Sequence, residues 1–278
     1  MSWRLHIRHV SGYRYQSAVT SSYNEARITP LTTTSQTTVD SKVEVEPGAR
    51  PYRYWDYWGT LVHAFDIHVA HSELVVTGTS VVETSEFAPL EDALDWPGLT
   101  ENGDTLAEFL APTAYVPLHP ALHSGGADAR VDAGPVPSAL AAAEWVRDAI
   151  AYRPGSTGVS TSAVEALTAG EGVCQDFVHV FLGAVRSMGV PARYVSGYLH
   201  PEPDPEVGQP LNGQSHAWAE IWAGGWMPID PTNGGTPGLR HVVVARGRDY
   251  RDVSPLRGIY SGGAAHALDV EVELTRVR

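Results

Sequence analysis

Through the first 85 residues the chain alternates apolar and polar side chains with a period of two. The segments "WRLHIRHV", "KVEVEP", "LVHAFDIHV" and "ELVVTGTSVVE" either alternate in this way or are rich in β-branched residues. Turn-forming clusters such as "TTTSQTT" and "EPGARP" separate them. Several short strands without a helical stretch predict a small antiparallel β-sandwich over residues 1–85. The period is lost over residues 86–136, where Pro and Gly are scattered, and this stretch reads as a connector with one short helix near 104–110. Helical spacing takes over at residue 137. "PSALAAAEWVRDAIAY" starts on Pro137 and Ser138 and repeats apolar Leu140, Ala143, Val146 and Ile150. Ser162 followed by Glu165 is a capping-box pattern that opens a second, short helix, which Gly170 would end. A longer helix is predicted over 176–188, with Phe177, Val178, Phe181, Leu182 and Val185 on one face and Gly189 at the left-handed cap. Strand patterns then return in "ARYVSGYL", "HAWAEIW", "GWMPID", "HVVVARG" and "ALDVEVELTRV". Residues 137–278 therefore read as an α+β unit, and no internal repeat or low-complexity tract interrupts it.

Composition narrows the function classes. At 278 residues, 43% hydrophobic and 18% charged, the chain is an ordinary globular protein rather than a disordered one. A net charge of −13 argues against nucleic acid or an anionic membrane as the main partner, since both require clustered Lys and Arg. The N-terminal "MSWRLHIRHVSGYRY" lacks the apolar stretch of a signal peptide, and no apolar run approaches the length of a membrane span. With one cysteine no internal disulfide can form, so a cytoplasmic location is expected.

That one cysteine, Cys174, lies in "GEGVCQDF", behind Gly170 and Gly172, where a loop turns into the predicted helix. Unpaired N–H groups and the positive dipole end at such a position favour an anion, here a thiolate nucleophile. A nucleophilic cysteine needs a base, and the base needs an orienting acceptor. Twelve histidines are present. His216 begins "SHAWAEIW", a strand on which His216, Trp218, Glu220 and Trp222 share one face. If Trp222 and Trp226 flank a tight hairpin, His216 falls opposite Pro231 or Thr232, and the Asp230 carboxylate comes within reach of its ring. His179, five residues beyond Cys174 on the helix, is turned away from the thiol. His119 and His123 are four apart, but Pro117 and Pro120 argue against a helix that would align them on a metal. No metal site, phosphate-binding loop or cofactor is expected.

The order Cys, His, Asp in the contexts "GEGVCQDFVHVFLGAVRSMGVPARYVSGYL", "HAWAEIW" and "GWMPIDPTNG" resembles the core of the transglutaminase-like superfamily over about residues 150–235. The β-rich start, with "YNEARITPL" and "YRYWDYWGTLVHAFDI", is similar to the region that precedes this core in bacterial members. The resemblance implies a papain-like α+β core, in which a helix starting at the cysteine packs on an antiparallel sheet carrying the other two residues. It implies Cys174 as nucleophile, His216 as general base and acid, and Asp230 as the carboxylate that orients the imidazole. Gln175, Trp218 and Trp226 are the candidates for lining the substrate or oxyanion site, the Cys174 N–H is a natural oxyanion donor, and Arg193 and Tyr194 are expected to brace the sheet. The expected activity is acyl transfer on a peptide or protein amide through a thioester. Hydrolysis is favoured and transglutaminase crosslinking is the alternative; a non-catalytic scaffold would show a broken triad.

Overall fold

Six strands open the chain: β1 (Ser2–Val19), β2 (Ser21–Ala26), β3 (Gln36–Glu46), β4 (Tyr52–Trp55), β5 (Leu61–Ile67) and β6 (His71–Ser85). Next come α1 (Trp96–Glu101), a 3-10 helix (Gly103–Phe109), α2 (Pro120–Ala129) and α3 (Pro135–Ala149). The middle of the chain forms β7 (Ala151–Tyr152), α4 (Ala163–Ala169), β8 (Glu171–Gly172) and α5 (Cys174–Ser187). It closes with β9 (Ala192–Leu199), β10 (Pro210–Trp222), β11 (Trp226–Ile229) and β12 (His241–Gly247). After these come α6 (Tyr250–Val253), β13 (Leu256–Ser261) and β14 (Ala265–Arg276). The computed structural model describes residues 1–278, with side chains everywhere except residue 103 and residues 266–269, the latter lying in the predicted last strand.

One antiparallel sheet runs β12-β9-β10-β14-β1-β6-β3, with β11 also paired to β10, and a smaller one runs β13-β2-β5-β4. The N-terminal strands do not close on themselves: β14 supplies the second neighbour of β1 from Leu5↔Arg276 onward, and β13 pairs with β2. The core between the two sheets likewise combines Tyr15, Ile28, Phe65 and Leu74 with Leu256 from the far end of the chain. The reason is that every buried strand edge must find hydrogen-bond partners, and alternation specifies a face but not a neighbour.

The expected connector holds three helical segments, not one. The reading of Pro120 also needs correction: it sits in the first turn of α2, where its missing N–H costs nothing, and His119 Nδ1 caps the helix by accepting the Ala121 N–H at 3.2 Å. Around α5 gathers the larger core, with Val178, Phe181, Leu182 and Val185 fully enclosed. Gln175 through Arg186 are all buried, so α5 is a central helix and not the one-faced helix the pattern implied.

Two features of the fold place the site. Residues at the start of α5 line one cleft with residues from the middle of β9 and β10. In addition, β10 changes neighbours there: residues 210–213 pair with β14 and residues 219–222 with β11, so residues 214–218 keep only β9. His216 lies in that opening.

Candidate active site

The loop before Cys174 is built from local signals. The Ser162 and Glu165 capping box forms as the sequence indicates, and α4 stops at Gly170 in the left-handed region (φ 69°). The chain then pairs in parallel with β7, and the Arg153 N–H donates to Gly172 O at 2.9 Å. Val173 cannot cap α5 with its own side chain. Asp176 does this from inside the helix: its Oδ2 accepts the Val173 N–H at 2.8 Å and the Thr157 hydroxyl at 2.6 Å. Asp176 therefore holds the turn as well as complementing the dipole. Burial pushes its carboxyl above the usual carboxylate range. The first amides of α5, at Cys174 and Gln175, have no intrahelical acceptor and are left for an anion.

Gly172 is required for this turn. A Cβ there would lie 2.7 Å from Asp176 Cβ and 2.8 Å from its Oδ2. We expect Gly172→Ala to destabilise the protein by about 1–3 kcal/mol, as overpacking does, and to slow iodoacetamide labelling of Cys174. Parental melting and labelling would show that the Asp176 brace does not set the start of the helix.

The β10–β11 hairpin has the register the sequence implied. Trp222 pairs with Trp226 and the ladder ends at Ala219↔Ile229, so Asp230 emerges beside His216. His216 Nε2 donates to Asp230 Oδ2 at 2.8 Å, with both side chains almost fully enclosed. Nε2 is thus engaged by the carboxylate, which leaves Nδ1 for Cys174 in the same cleft. Trp218 stacks on the imidazole at 6.1 Å between centroids.

Asp230 is gripped more firmly than a two-residue pairing would require. Its Oδ1 accepts the backbone N–H groups of Thr232 (2.9 Å) and Asn233 (3.0 Å). Its Oδ2 accepts Asn233 Nδ2 at 2.9 Å and His241 Nε2 at 3.4 Å, besides His216. Sequence reasoning passed over Asn233 and His241. Asn233 could have been read from "DPTNGG", an Asx-type turn on Asp230; His241, on β12, gave no local signal. Burial by itself would raise the Asp230 carboxyl, yet its bonds to His216, His241 and Asn233 hold it well below the usual range. Burial would lower His216, but the hydrogen bonds to Asp230 and Cys174, together with their charges, outweigh it and raise the imidazole to about 9.

His216, Asp230 and His241 have the composition of a metal site, with ligand atoms within 4.8 Å of one another. The proton pattern fits a hydrogen-bond network better. His241 Nδ1 accepts the Gly238 N–H at 3.3 Å, so the ring proton sits on Nε2 and points at Asp230. A ligating imidazole has the opposite arrangement, with its lone pair on the metal and its proton on the other nitrogen.

The cleft at the thiol has a volume of 240 Å³ and is lined by Cys174, Gln175, Tyr194, Ser196, His216 and Tyr250 among others, with Ser11 from β1 and Val270 from β14. The N-terminal strands and the end of the chain therefore help to wall it. Of the three accessory candidates only Gln175 lies in this cleft, with Nε2 donating to Val159 O at 3.3 Å. Trp218 and Trp226 instead line a neighbouring 590 Å³ cavity. Arg193 stands 3.9 Å over the Trp226 ring and bonds Glu220 at 2.6 Å, bracing the sheet as expected. Tyr194 differs from expectation by facing the cleft. A larger hollow of 840 Å³ lies between α2 and the end of α5, remote from these ionisable groups.

Fold and motifs agree with comparison to known proteins. Residues 128–231 match the model of the transglutaminase-like superfamily core, and residues 5–83 match the bacterial transglutaminase-like N-terminal region. The chain is 47% identical over 277 residues to an uncharacterised protein of Mycobacterium leprae, covering 99% of each. It is 32% identical over 297 residues to an uncharacterised protein of Mycobacterium tuberculosis, covering 98% of this chain and 92% of that one. A 137-residue stretch, 44% of this chain and 20% of the other, is 31% identical to the protein-glutamine gamma-glutamyltransferase of Pseudomonas aeruginosa. The fold is shared at TM-score 0.75 and 22% identity with a provisionally named cysteine protease of Cytophaga hutchinsonii, over 99% of this chain and 98% of that one. With its mixed α/β fold and curled antiparallel sheet, the protein belongs to the transglutaminase-like superfamily.

Proposed function

We propose that the protein is a cysteine-dependent acyl-transfer enzyme that cleaves an amide, peptide or isopeptide bond and passes the acyl group to water. The carrying observation is one buried imidazole, His216, that shares a cleft with a thiol at a helix N-terminus and is bonded to a carboxylate with five hydrogen-bond donors. Cys174 sulfur attacks the carbonyl carbon while the Cys174 N–H receives the developing oxyanion. Collapse breaks the C–N bond, and the departing amine takes the proton from His216 Nδ1, leaving a thioester. Water then gives a proton back to Nδ1 as its oxygen attacks. Expulsion of the Cys174 sulfur releases the acid and returns the site to its starting state, with the proton on His216.

The lining of the cleft supports water as acceptor. Among the described residues no Asp or Glu lines it, so nothing there would hold a lysine ammonium beside the thioester. The second reading, transfer to a protein amine, draws on the local match to the Pseudomonas transferase. A lysine analogue titrated against an activated acyl donor separates them through the ratio of amide to free acid. Under the hydrolytic reading, amide accumulates only by mass action, at roughly tens of millimolar amine, as for an unspecific site. Saturable, dominant amide formation at low amine would replace hydrolysis with transglutamination.

A further inference from the structure

The reaction proposed above develops negative charge on a carbonyl oxygen, and the Cys174 N–H supplies one donor for it. Such sites usually present a second, preorganised donor. Tyr194, on β9, is only 2% exposed, with its ring buried against His179 at 5.3 Å and Tyr250 at 6.5 Å. It lines the cleft together with Cys174 and His216. Four residues along the same strand, Tyr198 is equally buried, and its hydroxyl is fully used: it donates to Ile28 O at 3.1 Å and bonds His9 Nδ1 at 2.8 Å. The Tyr194 hydroxyl has no hydrogen-bond partner among the described residues. The ring is enclosed while the residue lines the cleft, so the hydroxyl is available to a group bound there. Burial also drives its ionisation well above the ordinary phenol range, so the group keeps its proton and has it to donate there.

We propose that Tyr194 is a catalytic residue whose hydroxyl is the second oxyanion donor, acting with the Cys174 N–H on the tetrahedral intermediates. This rests on the acyl-transfer reading above. Of the other side-chain donors in the cleft, Gln175 Nε2 is turned to Val159 O, the Tyr250 hydroxyl bonds Ser254 and the Ser11 hydroxyl bonds His9 Nε2; Ser196 and Ser215 are the alternatives the test separates.

Tyr194→Phe tests it, because it removes one oxygen and leaves the ring packing in place. The probes are p-nitrophenyl acetate, whose attack by the thiol passes through a tetrahedral oxyanion, and iodoacetamide, whose displacement of iodide by the same thiol forms none. The expected result is acylation slowed by about 10²-fold or more, as when one oxyanion donor is lost, with the iodoacetamide rate and the melting temperature unchanged. Equal acylation in variant and parent overturns the proposal. So does a parallel fall in both rates, which would make Tyr194 a residue that merely positions the thiol. Ser196→Ala and Ser215→Ala decide between the hydroxyls of the cleft: a loss confined to acylation in either of them, with Tyr194→Phe acylating like the parent, reassigns the donor and overturns the proposal. A parent protein that alkylates normally but forms no acyl-enzyme from any ester or amide refutes the acyl-transfer reading itself, a result distinct from failure of the Tyr194 assignment alone.

Discussion

Cys174→Ala is expected to lower turnover of any acyl donor by at least about 10⁴-fold, the scale seen when a nucleophile is removed from such a triad, and to melt within about 1 kcal/mol of the parent. The two outcomes are separable because the thiol is only partly buried, whereas what holds the site lies elsewhere. The turn before α5 is held by Asp176, and His216 by Asp230. Removing the sulfur deletes the atom that forms the thioester and leaves both of these intact. His216→Ala should be comparably severe in rate. It should also cost stability, because the Asp230 carboxylate would stay buried without its principal donor. Near-parental rates in either variant would show that the chemistry lies elsewhere.

Asp230→Asn should reduce the rate near neutral pH by about 10³–10⁴-fold and move the alkaline limit of activity downward. The active form needs a proton on His216 for the leaving amine, and that proton is held to about pH 9. The kcat/KM profile of the parent should therefore fall on its basic side near 9. An uncharged amide removes the strongest of the effects that lift the imidazole, so the limit should drop toward the ordinary value of 6.5. Stability should follow the same groups. The raised His216 contributes stability that is complete below 6.5 and is lost as pH rises through about 9, on the order of 3 kcal/mol. The depressed Asp230 contributes stability that is present above 3.8 and is lost as pH falls below it. The parent should thus be most stable between about pH 4 and 6.5, with both flanks flattened in the Asn variant. A basic limit that stays near 9 in Asp230→Asn would mean that the carboxylate does not set the charge of His216.

What the chain determines by itself is whatever its hydrogen bonds and periods write over a few residues. The Ser162 and Glu165 cap, the glycine stop at Gly170, the cysteine opening α5 and the hairpin that sets Asp230 beside His216 all have partners within about fifteen positions, and all were legible. Tertiary structure decided what depends on which distant segment arrives. His241 reaches Asp230 from β12, and β13 and β14 complete sheets begun at the N-terminus. Tyr194 faces the cleft while Trp218 and Trp226 face a separate cavity. The physical reason is that alternation assigns a residue to a face but carries no information on the neighbouring strand. Register and neighbour are settled when non-local backbone groups pair and the core closes around α5, and only then is it decided which polar atoms are left unpaired in the cleft.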